Sequence, residues 1–305
     1  MANESSDPIM PPGGFVRARG LTRHYVRGGL WRRSTQVTAI DHVDLDIPSA
    51  TTLALVGESG SGKSTLARCL AGLERPDSGE IWIGNEDVAS RSSRAGFKPR
   101  DPQRPSSTRH RVQMVFQDPT TSMNPRFTAA QVVEEPLQIM GVDAPARSEA
   151  ARARMNEVGL PSNWVNRPVM QFSGGQRQRL AIARALVVHP ELLVLDEALT
   201  GLDLSTQAQI ANLLLDLQSM HSLTYLLISH DLALVSRLAS AIAVISHGRI
   251  VETGSTHNIM TAPKHDETLR LLTRARALQA NFAAISGAEG SPGGSLSADW
   301  GEATD

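Results

Sequence analysis

Residues 52–70, TLALVGESGSGKSTLARCL, constrain the chain more than any other stretch, because an apolar strand, a glycine-rich turn and a helix must follow one another without a gap. GESGSGKS fits the spacing G-x-x-x-x-G-K-[ST] between a strand and a helix, which is the context the motif requires. Glycines so spaced let backbone N–H groups close around phosphate oxygens, and a helix beginning at Lys63 adds the positive end of its dipole. Lys63 is expected to reach the β- and γ-phosphates of a nucleotide, and the Ser64 hydroxyl to hold Mg²⁺. A second glycine-bearing loop, FSGGQ at 172–176, leads into the helical run RQRLAIARAL. Why one chain carries two such loops is the question the rest of the sequence must answer.

From 14 to 48, the alternating segments FVRAR and VDLDI read as half-buried strands of an antiparallel sheet, with the basic RGGLWRRST as a solvated, hairpin-like excursion between them. Beyond that, apolar strands alternate with helices: TLALVG before the helix from Lys63, LLVLD before one from Ser205, TYLLIS before one near Asp231, then AIAVIS. This alternation predicts a mostly parallel sheet with helices on its faces. Gly57, Asp196 and His230 then fall at strand ends along one edge, where open α/β sheets bind ligands. Between about 119 and 175 the strands stop, and text such as APARSEAARARMNEVGL predicts an inserted helical subdomain. The domain as a whole is expected over 14–275. Residues 89–111, basic and rich in Ser and Pro, read as a surface loop. The first 13 residues and the Gly/Ser/Pro-rich text from Ser286 read as disordered tails, with 276–305 carrying the end of the last helix and the tail.

With 41% apolar residues among 305, a sizeable core is affordable, and the near balance of 30 basic and 31 acidic side chains gives no overall pull toward nucleic acid. A single cysteine, Cys69, excludes a disulfide framework and fits a reducing compartment; its helical context reads as a buried apolar thiol. No stretch reaches the roughly 18 to 20 apolar residues of a membrane span, and the N-terminus lacks the basic start and apolar core of an export signal.

LLVLDEA, at 192–198, delivers two carboxylates at the end of an apolar strand. Burial explains the apolar run and leaves the acids unexplained. Asp196 suits a role on Mg²⁺, and Glu197 that of a general base polarising water against the γ-phosphate. His230 ends another apolar strand; alone it reads as a core or capping histidine, but beside Lys63 and Glu197 it is placed to contact the γ-phosphate. Gln117, in VFQDP, could sense Mg²⁺ and water or simply cap a turn.

In this order and spacing, GESGSGKST, Gln117, FSGGQ, LLVLDE, GLD at 201–203 and His230 resemble the ATPase subunit of ABC transporters over about residues 14–275. That resemblance implies an α/β P-loop NTPase (ABC ATPase) fold, with a mostly parallel core sheet, an N-terminal antiparallel β subdomain and an inserted helical subdomain. It makes Tyr25 the aromatic that stacks on adenine, and Gly57, Glu58, Ser59, Gly60, Ser61, Gly62, Lys63, Ser64 and Thr65 the phosphate loop of an ATP site. Ser64, Gln117 and Asp196 become the Mg²⁺ group, and Glu197, His230 and Gln117 the catalytic group. Ser173, Gly174, Gly175 and Gln176 form the signature, and Asp203 belongs to the loop called the D-loop. VGESGSGKSTLARCLAGL, QMVFQDPTTSMNPR, STQAQI and LLISHDLALV are similar to the oligopeptide/dipeptide/nickel importer group. Met170, Ala198, Gly201 and HDET at 265–268 depart from that group's usual His, Pro, Ala and HPYT-like text.

The two loops then have one explanation: the signature supplies the far side of a neighbour's γ-phosphate in trans, in a head-to-tail dimer. The implied partners are a second ATPase subunit, two membrane permease subunits docked near Gln117 and the helical insert, and an extracytoplasmic substrate-binding protein, at the cytoplasmic face of the inner membrane. A soluble cassette ATPase acting on nucleic acid or ribosomes is the rival reading, as is an importer motor for a non-peptide cargo. The long coiled coils, cysteine-ligated zinc or second cassette usual in the nucleic-acid class are not in this sequence, so no nucleic acid partner is expected.

Overall fold

The structure is a computed structural model that describes residues 14–27, 35–87 and 110–288. Both expected tails up to 13 and from 289, most of the basic excursion between the first two strands, and 88–109 of the expected surface loop lie outside the described residues.

Two sheets build the core. Strands β1 (Gly14–Arg27) and β2 (Thr35–Pro48) pair antiparallel, and β4 (Ser78–Ile83) with β5 (Glu86–Asp87) extends them in the order β2-β1-β4-β5. The sequence reading ended this sheet at Pro48; the chain returns to it after the phosphate-loop helix. Ile81 and Ile83 are buried there, while Glu80 before them and Trp82 between them are more exposed, the period-2 pattern of a half-buried strand.

The second sheet holds β3 (Thr52–Val56), β6 (Val112–Val115), β7 (Leu192–Asp196), β8 (Thr224–Ile228), β9 (Ala241–Ser246) and β10 (Arg249–Ser255), in the order β10-β9-β3-β8-β7-β6. All neighbours are parallel except β10 on β9, as the alternation of strands and helices predicts. β3 and β8 are buried along their whole length because both faces are covered. Alternate residues feed two cores. Leu53 and Leu55 of β3, Leu192 and Val194 of β7, and Leu226 and Ile228 of β8 join α1 (Lys63–Leu70) and the antiparallel sheet. Ala54 and Val56, Leu193 and Leu195, and Tyr225 and Leu227 face the helical side. Leu55 and Asp196 both pair with Ile228, so the ends of β3, β7 and β8 stand level.

The inserted subdomain is α2 (Pro119–Ser122), α3 (Ala129–Ile139), α4 (Ala144–Glu157) and the start of α5 (Gly174–Leu186). Val132 and Val133 of α3, Met155 of α4 and Leu180 of α5 are buried in its core. The end of α4 meets the sheet domain through charge: Arg154 Nη1 donates to Glu157 Oε1 at 2.7 Å, and its Nη2 lies 2.9 Å from His189 Nδ1. His221 Nε2, at the end of α6 (Leu204–His221), lies 3.1 Å from Glu157 Oε2. Helices α7 (Leu232–Leu238), α8 (Thr256–Thr261) and α9 (Asp266–Ala288) complete the chain, α9 running just past Ser286, where the sequence reading begins the tail. Among the described residues no helix is long and apolar enough to cross a membrane. Cys69 is buried, and burial pushes its thiol up to about 12, which leaves it inert as expected.

Candidate functional site

The phosphate loop is a cradle made by backbone. A Cβ on Gly57 would sit 2.2 Å from the Ile245 carbonyl oxygen, and one on Gly62, at φ 110°, would sit 2.3 Å from that of Ala39. Only glycine fits either place. Lys63 Nζ donates to the carbonyls of Gly57 at 2.9 Å and Glu58 at 2.7 Å, which holds the ammonium over the loop. Burial lowers the Lys63 pKa, and the nearby Glu197 and Asp196 carboxylates oppose that shift. Helices α2 to α8 each begin on a capping side chain, Asp118, Thr128, Asp143, Ser173, Asp203, Asp231 and Ser255 in turn, but α1 begins on Gly62 with none. The Ser61 hydroxyl is buried with no partner among the described residues. Uncapped amides, an orphaned hydroxyl and a central ammonium together fit a polyphosphate.

The acids stand at the neighbouring strand ends. Ser64 Oγ donates to Asp196 Oδ1 at 3.2 Å, so the two oxygens expected on Mg²⁺ share one place. Burial raises the Asp196 pKa and Glu197 adds to it, which suits a carboxylate that gains a cation. Glu197 takes the left-handed conformation at φ 49°, at a cost of about 1–2 kcal/mol. It is held there by its N–H donating to the Ile228 carbonyl at 3.0 Å and its own carbonyl accepting from the Thr200 N–H at 3.0 Å. Its Oε1 lies 3.8 Å from His230 Nδ1, on the loop after β8. The two line a cavity of about 160 Å³ with Thr200, Gln207 and Ser229.

Tyr25 stands beside the loop, its hydroxyl 3.5 Å from Thr65 Oγ1. The Arg23 guanidinium lies 5.1 Å over the ring, fixed by Glu74 at 3.0 Å and Asp77 at 2.9 Å. A base stacking on Tyr25 must therefore use the other face or displace Arg23, a frame the sequence reading did not see. Gln117 follows β6, two residues beyond Val115, which pairs with Leu195; it is exposed and makes no hydrogen bond to another described residue.

The signature lies apart from these groups. Ser173 Oγ accepts from the Gln176 N–H at 3.3 Å, and Gln176 Oε1 accepts from the Ser173 N–H at 3.0 Å. This reciprocal cap was legible as S-x-x-Q before an apolar helix, and it assigns Gln176 to holding the turn. Asp203 caps α6, accepting from Ser205 Oγ at 2.7 Å and the Thr206 N–H at 2.9 Å. Those bonds hold its carboxyl well below the usual carboxylate range. Gly201 takes φ 81°, a conformation glycine adopts without strain. Among the described residues no bond joins 173–176 or Asp203 to the phosphate loop.

A phosphate cradle at the end of a parallel strand, with a Ser–Asp pair and a Glu–His pair on the strand ends beside it, defines a P-loop nucleotide hydrolase. Residues 40–200 match the family model described as ABC transporter. The chain is 40% identical over 261 residues to the dipeptide transport ATP-binding protein DppF of Escherichia coli, covering 85% of this chain and 75% of that one. It is 40% identical over 270 residues to its namesake in Haemophilus influenzae, covering 88% and 80%. Among solved structures, the dimeric post-hydrolysis state of the ATP-binding cassette MJ0796 bound to ADP and Pi superimposes with a TM-score of 0.65 at 26% identity, over 79% of this chain and 98% of that one. The chain belongs to the ABC transporter family, and it is an ATPase of that family.

Proposed function

We propose that the chain is the ATP-hydrolysing subunit of an importer that takes up peptides or a related small solute through separate membrane permease subunits. The observation that carries the cargo class is the 40% identity, over 85–88% of this chain, to two proteins named for dipeptide transport.

In this reading ATP lies along the phosphate loop, with Lys63 and the amides of α1 on its phosphates and Tyr25 against the base. Ser64, Asp196 and Gln117 would hold Mg²⁺, which when bound supplies positive charge to the β- and γ-phosphates. Glu197 accepts a proton from the attacking water as the water oxygen bonds to the γ-phosphorus and the bond to the β-phosphate oxygen breaks, releasing ADP and phosphate. His230, 3.8 Å from Glu197, orients that carboxylate and contacts the γ-phosphate. The separation of the signature and Asp203 from these groups supports a head-to-tail dimer, in which Ser173, Gly174 and Gly175 face the nucleotide of a second ATPase chain. Two permeases would dock beside Gln117 and the helical subdomain, where Phe116, Ile139, Met140 and Met170 are exposed apolar side chains. An extracytoplasmic binding protein would deliver cargo, and the chain would work at the cytoplasmic face of the inner membrane as a peripheral subunit without nucleic acid.

The test is uptake. The chain, assembled with permeases encoded beside its own gene and reconstituted in vesicles with the matching binding protein, should accumulate labelled di- and oligopeptides when ATP is supplied. Accumulation no greater than in a Glu197→Gln complex would reject the peptide cargo.

A further inference from the structure

Gly175 is the second residue of α5, and its backbone is not in the left-handed region that would call for glycine. A helical residue so placed has no backbone need to be glycine, so its presence points to packing. A Cβ at Gly175 would meet Thr206 Cγ2 at 2.4 Å, about 1 Å inside an ordinary carbon contact. Thr206 cannot turn that methyl away freely. Its Oγ1 donates to Asp203 Oδ2 at 2.7 Å, and on a β-branched side chain a fixed hydroxyl fixes the methyl. Next to it, a Cβ on Gly174 would lie 3.6 Å from Leu202 Cδ2, so the first turn of α5 rests on the loop that opens α6.

We infer that Thr206 is a positioning residue for ATP hydrolysis. Its methyl seats the signature turn and its hydroxyl holds Asp203, so that both are presented to a second chain as one rigid surface. The inference rests on the head-to-tail reading of the dimer. It gives Gly175 a purpose inside its own chain, apart from any approach of the partner's nucleotide.

The experiment measures steady-state ATP turnover by the full chain in four variants. Gly175→Ala should lower kcat by about 100-fold, the order expected of a displacement near 1 Å, with KM for ATP unchanged because each nucleotide rests on its own chain's phosphate loop. Gly175→Ala/Thr206→Ser keeps the hydroxyl and removes the methyl, and should recover at least about 10-fold of the loss, a gain near 1.4 kcal/mol in the barrier. Thr206→Val keeps the methyl and removes the hydroxyl; it should lower kcat without moving KM, and in combination with Gly175→Ala should give no recovery. A double variant Gly175→Ala/Thr206→Ser as inactive as Gly175→Ala overturns the inference, as does full turnover by Gly175→Ala. Should Gly175→Ala fail to fold by circular dichroism, Thr206→Val decides alone, and wild-type kcat in that variant overturns it. An ATP-loaded Glu197→Gln chain that stays monomeric on size-exclusion chromatography would instead reject the dimer, and the rescue would still report the seating of α5 on α6.

Discussion

The Glu197 carboxylate lies 3.8 Å from His230 Nδ1, across the ends of two adjacent parallel strands, with its backbone in the left-handed region. In the proposed reading, an acid so placed faces the point where water would meet the γ-phosphate. Glu197→Gln is isosteric and keeps the backbone, so it should cost at least about 100-fold in turnover while leaving ATP binding intact. Size-exclusion chromatography with ATP should then show a trapped dimer; turnover near wild type would remove Glu197 as the base.

Lys63 donates its ammonium to the carbonyls of Gly57 and Glu58, which holds the charge over the loop proposed to take the phosphates. Lys63→Ala should weaken nucleotide binding by roughly 10- to 100-fold, the worth of a charge-assisted hydrogen bond. Fluorescent-nucleotide titration gives the answer directly, and unchanged affinity would contradict the cradle.

The proposed head-to-tail dimer implies two half-sites, and these make a complementation test. A Ser173→Arg chain and a Glu197→Gln chain should each be inactive alone, and mixed dimers should regain one working site, since intact Glu197 and intact Ser173 meet once per pair. A mixture as inactive as its parents, or full activity of Ser173→Arg alone, would reject action in trans.

His189 sits beside Arg154 at the seam between α4 and the sheet domain, with His221 and Glu157 around it. Partial burial of its ring, and then the Arg154 charge, place its pKa below the usual histidine value. The unfolded chain binds the proton more tightly, so this contribution to stability is whole above about pH 6.5 and is lost as the pH falls through the lower folded value. Denaturant midpoints should fall between pH 7 and pH 5.5. His189→Asn, which tolerates the left-handed backbone at φ 54°, should flatten that slope.

Most of this site is legible in one dimension because its residues follow short apolar runs: LALV before Gly57, LLVL before Asp196 and Glu197, and YLLI shortly before His230 need no three-dimensional knowledge to be aligned. The return of β4 and β5 to the first sheet is hidden in the sequence, although SGEIWI alternates, because a short strand after a helix looks the same whether it joins the parallel sheet or returns to the antiparallel one. The Arg23 clamp over Tyr25 and the seat of Gly175 on Thr206 lie beyond any sequence pattern. Glu74 and Asp77, which hold Arg23 over Tyr25, stand 51 and 54 positions from Arg23, and Thr206 stands about 30 beyond Gly175, through pairings that only the packed sheet and helices create.

Among the described residues, α2 to α8 begin on a side chain that caps them, and α1 does not. Its first amides are left for a ligand to complete, so nucleotide is a structural member of the fold as well as its fuel. Melting temperature should rise with nucleotide even where hydrolysis is blocked. Protease resistance of the chain should then rise with bound nucleotide, so that the same few amides that are proposed to hold ATP also set how readily the unloaded chain is cut.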